Sequence, residues 1–454
     1  MRILLWHGYL LTGSGSNVLT ANVARAWRGQ GHDVLLLCQE RAPEPLGFVD
    51  AHGDLAPGRA PSLRATGAAG AAGRVELLRP AIGEVLPVYV LDEYEGFVAK
   101  RFVDLSDDEL RAYTDANVAA LADAIERFRP DTIVTGHEVM GPYVARRACE
   151  ATGHAYTAKL HGSALEYAVR PQERYRRYAT DGLCAARAVT GGSEYMIRAV
   201  ASLVPCVEQR ASVVNPGCDV ELFRPAERDA GDAPVAAFVG KFIPSKGVHD
   251  FLVALGLTTV DPLRAVIVGF GSLEPELHAL HDALATGDLA AARAVAARIA
   301  PPPQDDAART LASQGAAYAA RWAGIEVEWT GRLEHGPLSR RLPYFDALVV
   351  PSVLAEAFGM VAIEAAACGV LPVVPAHSGI GEAGAAIEDA IGRPGLLTYD
   401  PSEPVAGIAA ALDRVLGMPF DERRALGLAA ARAARERWSW DTVARALLAR
   451  ATAR

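Results

Sequence analysis

Two glutamates, Glu356 and Glu364, bracket the run Ala357-Phe358-Gly359-Met360-Val361. The run follows an apolar strand, Ala347–Val350, and the turn Pro351-Ser352. Gly359 is expected at or just before a helix start, with Met360–Ala367 forming the first turns. The first amides of a helix have no intrahelical acceptor and can donate to an anion or to hydroxyls. Two carboxylates framing such a start could each hold a vicinal pair of hydroxyls, one on a sugar and one on a ribose. Acids near a helix N-terminus also offset the helix dipole, so the spacing alone leaves both readings open.

The cations point the same way. Of 45 basic residues only four are lysine: Lys100, Lys159, Lys241 and Lys246. In a chain that otherwise uses arginine, a lysine marks a place where a compact point charge is wanted. Lys241 and Lys246 share the loop from Gly240 to Gly247, directly after the strand Val235–Val239. Gly240 at a strand end lets backbone approach a ligand closely, and two ammonium groups suit a diphosphate. The competing reading is an ordinary turn with solvated lysines.

His161-Gly162-Ser163 ends the strand Tyr156–Leu160, and Lys159 shares the sheet face of His161. A histidine at a strand end is often a hydrogen-bonded structural residue. Arg170, Arg174, Arg176 and Arg177, with Tyr175 and Tyr178, form a basic, aromatic cluster just beyond. A solvated helix face accounts for it; the sharper alternatives are an anionic acceptor site or contact with an acidic membrane surface.

Other chemistries are disfavoured. Gly13-Ser14-Gly15 and Gly269-Phe270-Gly271 fail as dinucleotide fingerprints, because Val18 and Glu274 stand at the third glycine position. That argues against a nicotinamide oxidoreductase. The sequence has no His-Glu-x-x-His, Gly-x-Ser-x-Gly, Walker lysine loop or Asp-x-Asp pair, so neither a metal nor a cofactor is expected. His278 and His281, three apart in an Ala-rich segment, read as a solvated helix face. A net charge of −9 argues against a nucleic-acid binder. Six cysteines, scattered without a Cys-x-x-Cys pair, read as reduced core thiols. The N-terminal apolar run is too short for a signal peptide, no run approaches the roughly 18 apolar residues of a membrane span, and a cytoplasmic location is expected.

The elements that must position these residues come in two alternating series. Ile3–His7, a Gly/Ser loop, a helix over Val18–Gln30 and the strand Val34–Cys38 predict a parallel sheet with helices on both faces. Residues 42–85, rich in Ala, Gly and Pro, read as an irregular insertion. Ser106-Asp107-Asp108-Glu109 has the capping-box pattern and opens a helix to about Phe128. Strands follow at Thr132–Thr135 and Tyr156–Leu160. A boundary falls at about 216–234, where Asn215-Pro216-Gly217, Pro225 and Pro234 bracket the polar stretch Glu227–Asp232. The second series has strands at Val235–Val239, Ala265–Val268, Glu326–Trp329, Ala347–Val350 and Leu371–Val374. A helical insertion at 274–322 is broken at Pro301-Pro302-Pro303, and helices at about Phe420–Arg437 and Asp441–Ala451 close the chain. At 454 residues the chain suits two domains. Two doubly wound domains facing each other would leave a cleft at their strand C-terminal ends.

Taken together, these motifs resemble the retaining glycosyltransferases of family 4, with the GT-B fold of two Rossmann-like domains. The resemblance covers nearly the whole chain outside 42–85 and 274–322. It is carried by Glu356 and Glu364 in their Pro351-Ser352 and Cys368-Gly369-Val370-Leu371-Pro372 setting, and by the 240–247 loop. The Asn215-Pro216-Gly217…Asp219…Phe223…Pro225 hinge and the glycine loop followed by Gly31-His32-Asp33-Val34 add to it.

The resemblance implies an acceptor-binding domain over 1–218, a nucleotide-sugar domain over 219–437 and a helix at 438–454 returning to the first. It implies transfer of a hexose from a UDP-glucose or GDP-mannose type donor to a small-molecule, glycan or lipid acceptor. Lys246 and Lys241 would hold the diphosphate beside Gly240, and Glu364 the ribose. Glu356 and the amides of Phe358, Gly359, Met360 and Val361 would hold the sugar, with His161 near its 6-position. Arg332 would contact the base, and Gly15 would pack on phosphate or acceptor. Lys159, Arg174 and Arg177 are the acceptor-side candidates. Position 241 is usually arginine in this family; lysine keeps the charge and loses the planar fork. The rivals are a GT-B nucleotide-sugar epimerase and a non-catalytic nucleotide-sugar-binding protein.

Overall fold

The computed structural model describes residues 1–56, 58–91, 94, 96–231 and 233–453. Pro57 of the 42–85 segment and Asp232 of the polar boundary stretch lie outside the described residues. The chain divides into two units, Met1–Gly217 with the helix Trp440–Thr452, and Cys218–Ser439.

Apolar runs make the central strands of the first unit, and mixed segments make the others. They are β1 (Arg2–Trp6), β2 (Asp33–Leu37), β3 (Ala51–Leu55), β4 (Arg64–Ala65), β5 (Arg74–Pro80), β8 (Thr132–Gly136), β9 (Thr157–Lys159), β10 (Ala188–Gly191) and β11 (Ala211–Val213). They form one sheet in the order β11-β10-β9-β8-β1-β2-β5-β3-β4, parallel except for the β3–β4 pair. The short strands β6 (Val85–Val88) and β7 (Val98–Arg101) pair separately. β1 and β2 are buried along nearly their whole length, as central parallel strands covered on both faces must be. Five helices intervene, α1 (Gly15–Gly29), α2 (Asp107–Phe128), α3 (Gly141–Thr152), α4 (Glu173–Ala185) and α5 (Glu194–Ala201). Ser14 caps α1 by accepting from the Asn17 amide, and the capping box of Ser106 and Glu109 opens α2.

The second unit repeats the plan with β12 (Val235–Lys241), β13 (Arg264–Phe270), β14 (Glu326–Gly331), β15 (Ala347–Val349), β16 (Leu371–Pro375) and β17 (Thr398–Tyr399). Their order is β14-β13-β12-β15-β16-β17, all parallel. Its helices are α6 (Val248–Leu255), α7 (Glu274–Ala285), α8 (Leu289–Ile299), α9 (Asp306–Ala312), α10 (Ala316–Trp322), α11 (His335–Arg341), α12 (Met360–Ala367), α13 (Ser378–Ile391), α14 (Pro404–Leu416) and α15 (Phe420–Trp438). Phe238, Phe242, Phe251 and Trp322 anchor the core. The closing helix, α16 (Trp440–Thr452), belongs to the first unit: Trp27 Nε1 donates to the Ala444 carbonyl at 2.9 Å and Thr132 Oγ1 to that of Ala451 at 2.9 Å.

Three expectations need correction. Residues 42–85 are not an irregular insertion: β3, β4 and β5 lie there, and β5 pairs in register with β2. The cysteines are not all reduced, because Cys184 and Cys206 form a disulfide with a Cα–Cα distance of 5.6 Å; Cys38, Cys149, Cys218 and Cys368 are free and buried. His278 and His281 do not form a solvated face; their rings lie 4.3 and 6.0 Å from that of Trp329.

Candidate active site

In the second unit the loop after β12 turns through Pro244–Lys246 into α6, with Gly247 at φ 64°. That left-handed backbone, with Pro351 O only 2.0 Å from where a Cβ would stand, explains the glycine. The Val353 amide donates to the Ser245 carbonyl at 2.9 Å. These contacts seat the lysine loop against the loop before α12. Lys246 Nζ then donates to Glu356 Oε1 at 2.6 Å, and the Ser352 hydroxyl donates to the same oxygen. Lys241 stands exposed at the end of β12.

Glu356 is held by its backbone as well. Its amide donates to Ser378 Oγ at 3.0 Å, and its carbonyl accepts from the Gly379 amide at 2.9 Å. His377 Nε2 donates to the Ser352 carbonyl at 3.0 Å, and its Nδ1 lies 2.9 Å from Ser378 Oγ. Gly359, at φ 98°, caps α12 and opens its first turn at Met360 and Val361. The Phe358 side chain is buried in the core, which leaves its backbone for any ligand contact. Glu364, on the second turn, is 8% exposed. Burial pushes its carboxyl up to about 8, and His335 Nε2 is 3.9 Å away. Arg332 lies over the Phe270 ring at 4.8 Å and donates to Glu334 at 2.8 Å.

The structure thus gathers Lys246, Glu356, Gly359, Met360 and Val361 in one stretch of the second unit, with Glu364 on the same helix. Gly240 lies within β12, and Arg332 just beyond β14.

In the first unit Gly15 is the first residue of α1. His161 packs among rings: His137 at 4.6 Å and His7 at 6.4 Å between centroids. Burial lowers the basicity of His161, and the neighbouring His7 and Lys159 add to that. Two acceptor-side expectations are corrected. Lys159 is 3% exposed and its Nζ donates to the Val214 carbonyl at 2.5 Å, so it does not present its amine to an acceptor; burial lowers it to about 7. Arg174 is spent on its own chain, donating to Asp107 at 3.0 Å and to the Leu105 carbonyl at 2.8 Å. Arg177 remains open, 80% exposed and 3.6 Å from Glu173. With Tyr143, Arg176 and Tyr178 it lines a cavity of about 410 Å³.

Sequence reasoning missed Ser352, His377 and Ser378, which position Glu356, and Phe270 beneath Arg332. It also missed His137 and Glu138, although a His-Glu pair directly after the strand Thr132–Gly136 was a signal of the same kind as His161. Among the described residues no cluster suited to a metal ion occurs, and no helix is long and apolar enough to cross a membrane.

Two doubly wound parallel-sheet units define the GT-B class of fold, and solved structures share it. A glycosyltransferase from Rickettsia africae superposes with a TM-score of 0.61 at 14% identity, covering 98% of this chain and 97% of that one. Anabaena Alr3699/HepE in complex with UDP and glucose gives 0.59 at 14% identity, covering 98% of each. Residues 13–222 match the model of Glycosyltransferase Family 4, and residues 318–432 that of Glycosyl transferases group 1. Together the two matches support a family 4 glycosyltransferase of GT-B fold. A D-inositol 3-phosphate glycosyltransferase from Saccharomonospora viridis is 30% identical over 302 residues, 64% of this chain and 61% of that protein. Another, from Catenulispora acidiphila, is 31% identical over 225 residues, 45% of this chain and 43% of that one. The chain thus spans less than two thirds of the length of these relatives.

Proposed function

We propose that the protein is a retaining hexosyltransferase that moves a hexose from a nucleotide-diphosphate donor of the UDP-glucose or GDP-mannose type to an acceptor hydroxyl. The observation that carries this reading is the Lys246–Glu356 pair, held at 2.6 Å beside the open first turn of α12. An ammonium group there offsets the charge that develops on a departing diphosphate. Lys241 adds a second positive charge on the same loop. The amides of Met360 and Val361, with Glu356, hold sugar hydroxyls, and Glu364 takes the ribose. Arg332 and Phe270 offer a cationic and an aromatic surface to the base.

The acceptor hydroxyl attacks the face from which the diphosphate leaves, so the anomeric configuration is kept. The chain's residues need no covalent intermediate for this; they orient both substrates and stabilise the leaving group. His161 contacts the transferred sugar, and Gly15 lies against phosphate or acceptor. On the acceptor side Arg177 and the cavity beside it are the candidate contact. The curated relatives are named for D-inositol 3-phosphate, which makes a phosphorylated polyol the first acceptor to try.

The test is a panel of UDP-, GDP- and ADP-sugars, each with and without inositol 3-phosphate, read by nucleotide release and by NMR of the product anomer. An anomer of the donor's own configuration is expected. An inverted product would refute the retaining mechanism, and donor conversion without any glycoside would assign the chain to the epimerases.

A further inference from the structure

In the first unit β8 ends at Gly136, and the next two residues turn inward. His137 adopts φ 69° and is 1% exposed. Glu138 is fully buried at 0% exposure. Its Oε1 accepts from the amide of His161 at 3.0 Å and from that of Gly162 at 2.9 Å. Gly162 sits at φ 93°, so the chain turns sharply where the clamp holds it. The other oxygen, Oε2, has no hydrogen-bond partner among the described residues.

A buried carboxyl with one idle oxygen is a poor device for stability, since an unpaired buried polar atom costs free energy that an apolar side chain would not. What this carboxyl does accomplish is to hold two consecutive amides, and with them the Cα of His161 and the direction of its ring. Among the described residues no side chain hydrogen-bonds the imidazole; the rings of His137 and His7 flank it. Backbone placement therefore decides where the imidazole points.

The geometry points to Glu138 as a positioning residue: by clamping the amides of His161 and Gly162, it aims the His161 imidazole at the transferred sugar. This rests on His161 being that sugar contact. Glu138 acts through His161 and touches no substrate.

The experiment compares full-length Glu138→Ala, Glu138→Asp, Glu138→Gln, His161→Ala and the double variant Glu138→Ala/His161→Ala, each checked for folding by its melting transition. The readouts are kcat and donor KM separately. Glu138→Ala is expected to lower kcat at least ~10-fold with donor KM within about twofold, because the clamp affects the reacting geometry and not the second unit's grip on the donor. Glu138→Gln keeps an acceptor oxygen and should stay within about threefold of wild type. The double variant should be no slower than His161→Ala alone, the non-additivity expected of residues acting as one unit. If Glu138→Ala does not fold, Glu138→Asp, too short to reach both amides, is read the same way. Wild-type kcat in a folded Glu138→Ala overturns the proposal, as do independent, multiplying losses in the double variant. Wild-type activity in His161→Ala with Glu138→Ala crippled would also overturn it, while wild-type activity in both would remove the sugar-contact reading as well.

Discussion

At the residue scale the proposed chemistry depends on charge in confined places. In the proposed function Lys246 meets the departing diphosphate, and losing one such group typically costs about 10²–10³ in rate. Lys246→Ala is therefore expected to lower kcat by about that factor while its melting transition stays near wild type. Glu364 makes a prediction with a definite sign. Burial raises its folded value to about 8 from an ordinary 4.5. Its contribution to stability is fully present below pH 4.5 and is lost as pH rises through 8. Glu364→Gln, which cannot ionise, should match the wild type's pH dependence in acid, gain on it between about pH 4.5 and 8, and keep a constant margin above that. Melting curves across that range check this; parallel profiles would mean the carboxyl titrates normally. Lys159 shows where residue-level reading stops. Strand alternation places it on the face of His161, but only the carbonyl of Val214, 55 positions away, reveals that its amine is buried.

At the element scale the lysine loop is shaped by Gly247, whose Cβ would sit 2.0 Å from Pro351 O at φ 64°. Gly247→Ala is expected to destabilise by more than the ~1 kcal/mol of a permissive site and to depress turnover, because the displaced loop carries Lys246. Melting and kcat measured together check it. Most strands and helices that bear the site were legible, since central parallel strands are continuous apolar runs and caps such as Ser106 and Gly359 mark helix starts. The stretch 42–85 was not. Ala51–Leu55 contains His52, Gly53 and Asp54, and it is a strand because β5 beside it is aligned by β2, a non-local pairing with no local signature. The Glu356 supports were hidden for the same reason: His377 and Ser378 lie more than twenty positions from the residues they hold.

At the scale of the whole molecule, two units carry complementary halves of the proposed chemistry, and α16 completes the first from the far end of the chain. The Cys184–Cys206 bridge closes a loop with a sequence separation of 22 within that first unit. Such loops typically contribute about 2–4 kcal/mol. Cys206→Ser or added reductant should lower the melting temperature by several degrees, and an unchanged transition would mean the bridge does not form in solution.

The central claim is that the second unit grips a nucleoside diphosphate through Lys246 and Glu364. Calorimetric titration of UDP and GDP into the wild type, Lys246→Ala and Glu364→Ala tests it most directly. At least one of the two is expected to bind the wild type and to bind each variant at least ~10-fold more weakly, about 1.4 kcal/mol. Equal affinity for all three proteins would contradict it.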